Sequence, residues 1–193
     1  MSKTDENIPV ILASARQLFG RFGFKKTTMD EIAVGAGKGK SSLYYYYKNK
    51  EEIFAAVVEE ETKLLQEKVQ HAVSQYDSAR DKLRAYFQSR LHYIQELSNL
   101  GEAMRNDILN HYEFIVNIRK KYFENEVQTV GAILAQGQQT DGFDIDDLEF
   151  TARAIVRVIR AIELPFSLEK QEEDFTGKID KAIDIILMGI IQR

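Results

Sequence analysis

Apolar residues recur at helical spacing along most of this chain, and no stretch alternates with the period of two that a half-buried strand needs. Ile8, Ile11, Leu12, Ala15, Leu18, Phe19 and Phe22 form a first stripe, with Gly23 at its C-terminal stop. Thr28-Met29-Asp30-Glu31 is a capping box, in which hydroxyl and carboxylate satisfy the unpaired N–H groups of a second helix reaching about Ala36. Gly37 and Gly39 supply the permissive backbone of a tight turn, and a third helix is predicted over about 40–47. At about 100° per residue, Leu43, Tyr46 and Tyr47 share one face of it while Ser41, Tyr44 and Tyr45 point the other way. Asn49 followed by Glu52 caps a long helix running through Ile53, Val57 and Leu65 toward Val73. Further helices are predicted over about 78–97, 102–109, 112–138, 146–164 and 174–191, punctuated by Gly101, the turn at Thr140-Asp141-Gly142, and Pro165. The predicted fold is all-α: a three-helix N-terminal domain over 1–49 and a helical body over 50–193.

The last two helices carry a further expectation. Ile155, Ile159 and Ile162 belong to a stripe on the first, and Ile179, Ile183, Ile186 and Ile190 to one on the second, whose remaining surface is also largely apolar. A helix that is apolar around most of its circumference is buried on more than one side. A second copy of the chain would supply the extra cover, and these seven isoleucines are the expected dimer interface; a central core helix in a monomer is the alternative.

Composition bears on the partner. The 193 residues carry a net charge of −4, which if uniform would argue against nucleic acid. Yet residues 16–50 hold eight Lys or Arg against Asp30 and Glu31, a net of +6, so the remainder carries −10. Such asymmetry steers one end of a molecule toward phosphates, although a solvated charged surface is the commoner meaning of clustered lysines. Lys38, Lys40, Lys48 and Lys50 flank the hydroxyls and aromatic edges of the third helix, and phosphate oxygens are natural partners of that set. There is no cysteine, which removes disulfides, thiolate zinc sites and cysteine nucleophiles. No apolar run is long enough to span a membrane and the N-terminus lacks the pattern of a signal peptide, so no membrane association and a cytoplasmic location are expected.

The head resembles the DNA-binding domain of TetR-type (tetracycline-repressor-like) transcriptional regulators. The resemblance rests on Leu18-Phe19, Gly23-Phe24, Thr27-Thr28, Ile32-Ala33, Ala36-Gly37, Lys40, Leu43-Tyr44-Tyr45-Tyr46, Lys48, Lys50 and Ile53, in order, over about the first quarter of the chain. Departures lie in the turn, where Lys38 stands for the usual Val, Gly39 for Ser and Ser41 for Gly. The resemblance implies a helix-turn-helix head that binds double-stranded DNA, with Thr28, Lys38, Lys40, Ser41, Ser42, Tyr44, Tyr45 and Lys50 as the contacting set. It also implies a homodimer joined through the last two helices, and a body that binds a small-molecule effector and releases the protein, a repressor, from a palindromic operator. Tyr93, Met104, His111 and Tyr112 are the expected effector contacts, among aromatics that at helical spacing more often make core than pocket. No cofactor, metal or enzymatic activity is expected.

Three other chemistries fit these residues less well. Val34-Gly35-Ala36-Gly37-Lys38-Gly39-Lys40-Ser41 ends like a phosphate-cradling P-loop, but Val34 replaces the first glycine and a capped helix stands where a strand is required. His71, His92 and His111 lack zinc-ligand spacing. The acids of Asp141–Glu149 depart from a calcium-binding loop and read better as helix caps. A helical scaffold or adaptor without DNA affinity is the remaining alternative.

Overall fold

The computed structural model describes residues 3–97, 99, 113–168 and 175–190. They form α1 (Lys3–Phe22), α2 (Met29–Gly35), α3 (Lys40–Tyr46), α4 (Lys50–Ser74), α5 (Ala79–Glu96), α6 (Glu113–Thr140), α7 (Leu148–Leu168) and α8 (Phe175–Ile190). The fold is all-α, with no β-strand among the described residues. The helix expected over 102–109 lies outside them. Pro165 was expected to end a helix, but α7 runs three residues beyond it. A proline that close to a C-terminus removes one backbone hydrogen bond from the final turns and leaves the rest of the helix intact.

The chain divides into two compact units, Met1–Lys63 with Leu97–Ile115, and Leu64–Glu96 with Val116–Arg193. In the first, Ile11, Ala15, Phe19, Ile32, Leu43, Ile53 and Phe54 are fully buried. Phe19 and Phe24 both meet the Phe54 ring, at centroid distances of 5.1 and 4.8 Å. Aromatic contacts of this kind add about 0.5–1.5 kcal/mol beyond area burial. The α1 helix ends where expected: Gly23 takes φ 81° and donates its N–H to the Phe19 carbonyl at 2.8 Å. Close approach of α1 and α2 is set at Gly35, where a Cβ would run into Ser14 Oγ, itself bonded to the Ile32 carbonyl at 3.1 Å.

The second unit packs α5 against α7 and α8, burying Leu83, Phe87, Leu91, Leu134, Val156, Ile159 and Leu187. Acids of the 141–149 segment do cap helices. Asp141 Oδ2 accepts from the Ala79 N–H at 2.5 Å, and Asp147 Oδ1 from the Phe150 N–H at 2.9 Å. The α6 helix closes on a turn in which Asp141 and Phe143 both donate to the Gly137 carbonyl at 3.0 Å, made possible by Gly142 at φ 68°. This lays the buried Phe143 ring across Gly137, where a Cβ would overlap three ring atoms. At Gly131, by contrast, a Cβ would make ordinary contact with Leu148 and Ala152. Gly137→Ala is therefore expected to destabilise by about 1–3 kcal/mol through overpacking, whereas Gly131→Ala should be neutral or gain up to about 1 kcal/mol in helix propensity. Thermal melts of the two variants check this; the same response in both would contradict the packing at Phe143.

Candidate nucleic-acid interface

The head's polar surface is built on α2, its turn and α3. Thr28 is the N-cap of α2, at φ −116° and ψ 158°. Its Oγ accepts the Glu31 N–H at 3.2 Å, and Glu31 Oε2 accepts from the Thr28 N–H and hydroxyl, both at 2.8 Å. The Thr28 hydroxyl, followed by its backbone N–H, holds the Glu31 carboxyl below its ordinary pKa. Buried Thr27 anchors the approach, its hydroxyl donating to the Gly23 carbonyl at 3.0 Å. The α2 helix then ends on Gly37 at φ 63°, with Lys38 N–H bonded to the Ala33 carbonyl at 2.9 Å. Gly39 differs from expectation: at φ −73° and ψ 152° it is extended backbone open to any residue, and it caps α3 without a side-chain bond. The turn needs one glycine, not two.

Along α3 the faces separate as the 100° rule requires. Leu43 is fully buried. Tyr46 is half-buried, its hydroxyl accepting from Asn7 Nδ2 of α1 at 2.8 Å. Tyr47 is also half-buried, and burial pushes its phenol pKa up. On the other face Ser41 is exposed, and Tyr44 and Tyr45 are 45% and 76% exposed. Ser42 sits between the faces and is half-buried. The Tyr45 ring stands edge-on to that of Tyr46 at 5.0 Å.

Among the cations, Lys40 is exposed at the start of α3 and its ammonium lies 2.8 Å from Asp30, whose hydrogen bond raises the Lys40 pKa. Lys48 is exposed and Lys38 half-buried. Lys50 is held differently: its ammonium donates to the carbonyls of Phe24 at 2.7 Å and Thr27 at 2.8 Å, and sits 4.4 Å from the Phe24 ring centroid. Those partners already engage the ammonium that was expected at a phosphate. The stretch that ends like a P-loop is helix α2, its turn and the start of α3.

Of the expected effector contacts, Tyr93 is half-buried, with the Lys68 ammonium 4.3 Å above its ring and His92 beside it; Met104, His111 and Tyr112 lie outside the described residues. Of the expected dimer residues, Ile155, Ile159 and Ile183 are buried within one chain and Ile162 is half-buried, while the side chains of Ile179, Ile186 and Ile190 lie outside the description. The large apolar side chains left exposed on the last two helices include Val158, at 45%, and Ile185 and Met188, at 71% and 72%. Sequence reasoning also missed a buried charge cluster in the second unit. Arg90 of α5 pairs with Glu163 of α7, and with Glu126 of α6 at 2.8 Å, and Glu126 in turn binds Arg160 at 2.8 Å. Periodicity alone assigns charged residues to a solvated face, so nothing in the sequence marked these.

Comparison with known proteins extends these observations. Residues 11–57 match the family model described as bacterial regulatory proteins, tetR family. No curated protein sequence matches the chain. A transcriptional regulator from Cytophaga hutchinsonii superimposes with a TM-score of 0.80 at 24% identity, over 96% of this chain and 98% of that one. The fatty acid degradation regulator FadR from Bacillus halodurans gives 0.74 at 16% identity, over 97% of each chain. FadR from Bacillus subtilis, solved in complex with stearoyl-CoA, gives 0.71 at 20% identity, over 94% of this chain and 98% of that one. At these identities the likenesses bear on fold alone. No described helix is long and apolar enough to cross a membrane. The N-terminal part of the chain, residues 11–57, thus matches the model of the tetR family of bacterial regulatory proteins, and the all-α fold is the one these solved regulators share.

Proposed function

We propose that the chain is a cytoplasmic, homodimeric repressor whose two heads bind an inverted repeat in double-stranded DNA and whose bodies bind a small, partly apolar effector. The observation that carries the reading is α3 itself, which offers Ser41, Tyr44 and Tyr45 to solvent while Leu43 is locked in the core. Helix-turn-helix proteins use such a second helix to enter the major groove. Thr28, Lys38, Lys40 and Lys48 at its borders suit phosphate contacts, which set register and affinity. Effector binding in the body, around Tyr93 and the segment bearing Met104, His111 and Tyr112, would act through α4 on the separation of the two heads. The effector must then prefer the DNA-incompetent state, and DNA must weaken effector binding by the same factor. The stearoyl-CoA complex of the Bacillus subtilis FadR supports an effector with a large apolar part.

Three variants test the head. Tyr45→Ala is expected to lose DNA binding with little change in melting temperature. Lys40→Ala, which frees Asp30 from its 2.8 Å pair, should weaken binding to all sequences and reduce the salt slope by about one unit. Leu43→Ala should lose both folding stability, by about 2–5 kcal/mol, and DNA binding. Titrations with labelled duplex at several salt concentrations, beside thermal melts, read all three. Retained DNA binding in Tyr45→Ala, with loss in a variant of the buried face alone, would reverse the assignment of faces. An adaptor without DNA affinity would bind no duplex in any variant.

A further inference from the structure

We propose that Lys50 is a positioning residue for DNA recognition, a clamp that fixes the loop carrying the start of α2, and that it makes no phosphate contact. The inference rests on the proposed DNA-binding reading of the head. Lys50 is the first residue of α4, where the positive end of the helix dipole disfavours a cation. Helix stability therefore does not explain an ammonium there; its surroundings do. An ammonium has three N–H donors and no acceptor, and the Lys50 Nζ meets the carbonyls of Phe24 at 2.7 Å, Thr27 at 2.8 Å and, more distantly, Lys25 at 3.5 Å. The Phe24 ring, buried against Phe19 and Phe54, lies 4.4 Å away, within the range of a cation–π contact.

The loop so held is the whole connection between α1 and α2. Its inner end is fixed by the Thr27 hydroxyl on the Gly23 carbonyl, and its outer end is Thr28, which caps α2. Lys50 ties the carbonyls between those points to α4, so the entry of α2, and with it the angle at which α3 is presented, is set from outside the helix-turn-helix itself. The three carbonyls converge on one point, which suits a compact ammonium and does not suit the planar, forked guanidinium. A phosphate, by contrast, accepts either cation.

Full-length wild type, Lys50→Met and Lys50→Arg separate these roles. The probes are the duplex that the wild type selects from a random pool and a scrambled duplex of the same composition, each titrated over a range of salt. Both variants are expected to lose about ten-fold or more in affinity for the selected duplex, the scale of one misread base pair, while binding the scrambled duplex with close to wild-type affinity and salt slope. Hydrogen exchange of the 23–28 amides without DNA should quicken in both. A fall of about one unit in the salt slope in Lys50→Met, restored in Lys50→Arg, would overturn the proposal in favour of a phosphate contact. Unchanged exchange at 23–28 would overturn it without reference to DNA. If the wild type selects no duplex, the DNA-binding reading fails, and the exchange measurement still decides whether Lys50 clamps the loop.

Discussion

Arg90→Met is expected to destabilise the body by about 3–5 kcal/mol, the cost of removing one partner from a buried ion pair. Arg90 is 5% exposed and Glu163 1%. Burial works against the charge on Arg90, but Glu126 and Glu163 outweigh it and hold its pKa well above the usual range. For Glu163 the balance falls the other way: burial raises its pKa above the ordinary carboxylate value of 4.5 in spite of Arg90. A carboxyl whose folded pKa is raised binds more protons folded than unfolded, so its ionisation takes stability away as pH rises from its unfolded value through its folded one. Removing Arg90 raises that folded pKa further. The deficit of Arg90→Met against wild type should thus be smaller near pH 5 than near pH 7. Arg90→Met/Glu163→Leu should recover much of the loss, because Glu126 keeps Arg160 at 2.8 Å and no carboxylate is left without a cation. Denaturant melts at the two pH values check both statements. A deficit under about 1 kcal/mol in the single variant would mean that the pair is solvated rather than buried.

A second large effect is expected at the proposed dimer interface. Ile185→Asp and Met188→Asp introduce charges on α8 at positions 71% and 72% exposed in one chain. Folding of a single chain should tolerate them, since surface substitutions away from special features usually stay within about 0.5 kcal/mol. Burial against a second copy would not, because an unpaired charge in an interface is strongly unfavourable. The double variant is expected to be monomeric by light scattering at micromolar concentration. It should also lose most of its affinity for an inverted repeat, because two heads can no longer bind as one. Ile183→Asp is the contrasting case, since Ile183 is 1% exposed within a single chain; it should damage the fold of the monomer itself. A wild type that is monomeric, or a double variant that stays dimeric, would remove α7 and α8 from the interface.

These expectations show where the sequence was informative. Local rules read well. The Thr28–Glu31 box, the Asn49 cap on Glu52, the glycine stop at 23 and the two faces of α3 depend on chemistry within a few residues, and each is present. Tertiary facts were less legible. Ile183 and Ile185 are both isoleucines on a helix apolar around most of its circumference, so periodicity could not say which one the same chain covers. Gly37 and Gly39 look alike in a turn sequence, yet only Gly37 has positive φ. Lys50 read as one more cation in a basic cluster, because carbonyls 23 to 26 residues upstream are invisible to a local pattern. Arg90, Glu126 and Glu163 come from three helices and meet only after folding.

The central claim is that the α2–α3 surface reads DNA as a pair of heads, and selection of duplexes from a random pool tests it most directly. The full-length wild type is expected to enrich an inverted repeat whose half-site centres lie about 34–36 Å apart, one DNA turn, or at a related spacing. The enrichment should vanish in Tyr44→Ala/Tyr45→Ala. A wild type that enriches no sequence, or an enrichment that survives loss of both tyrosines unchanged, would contradict the claim.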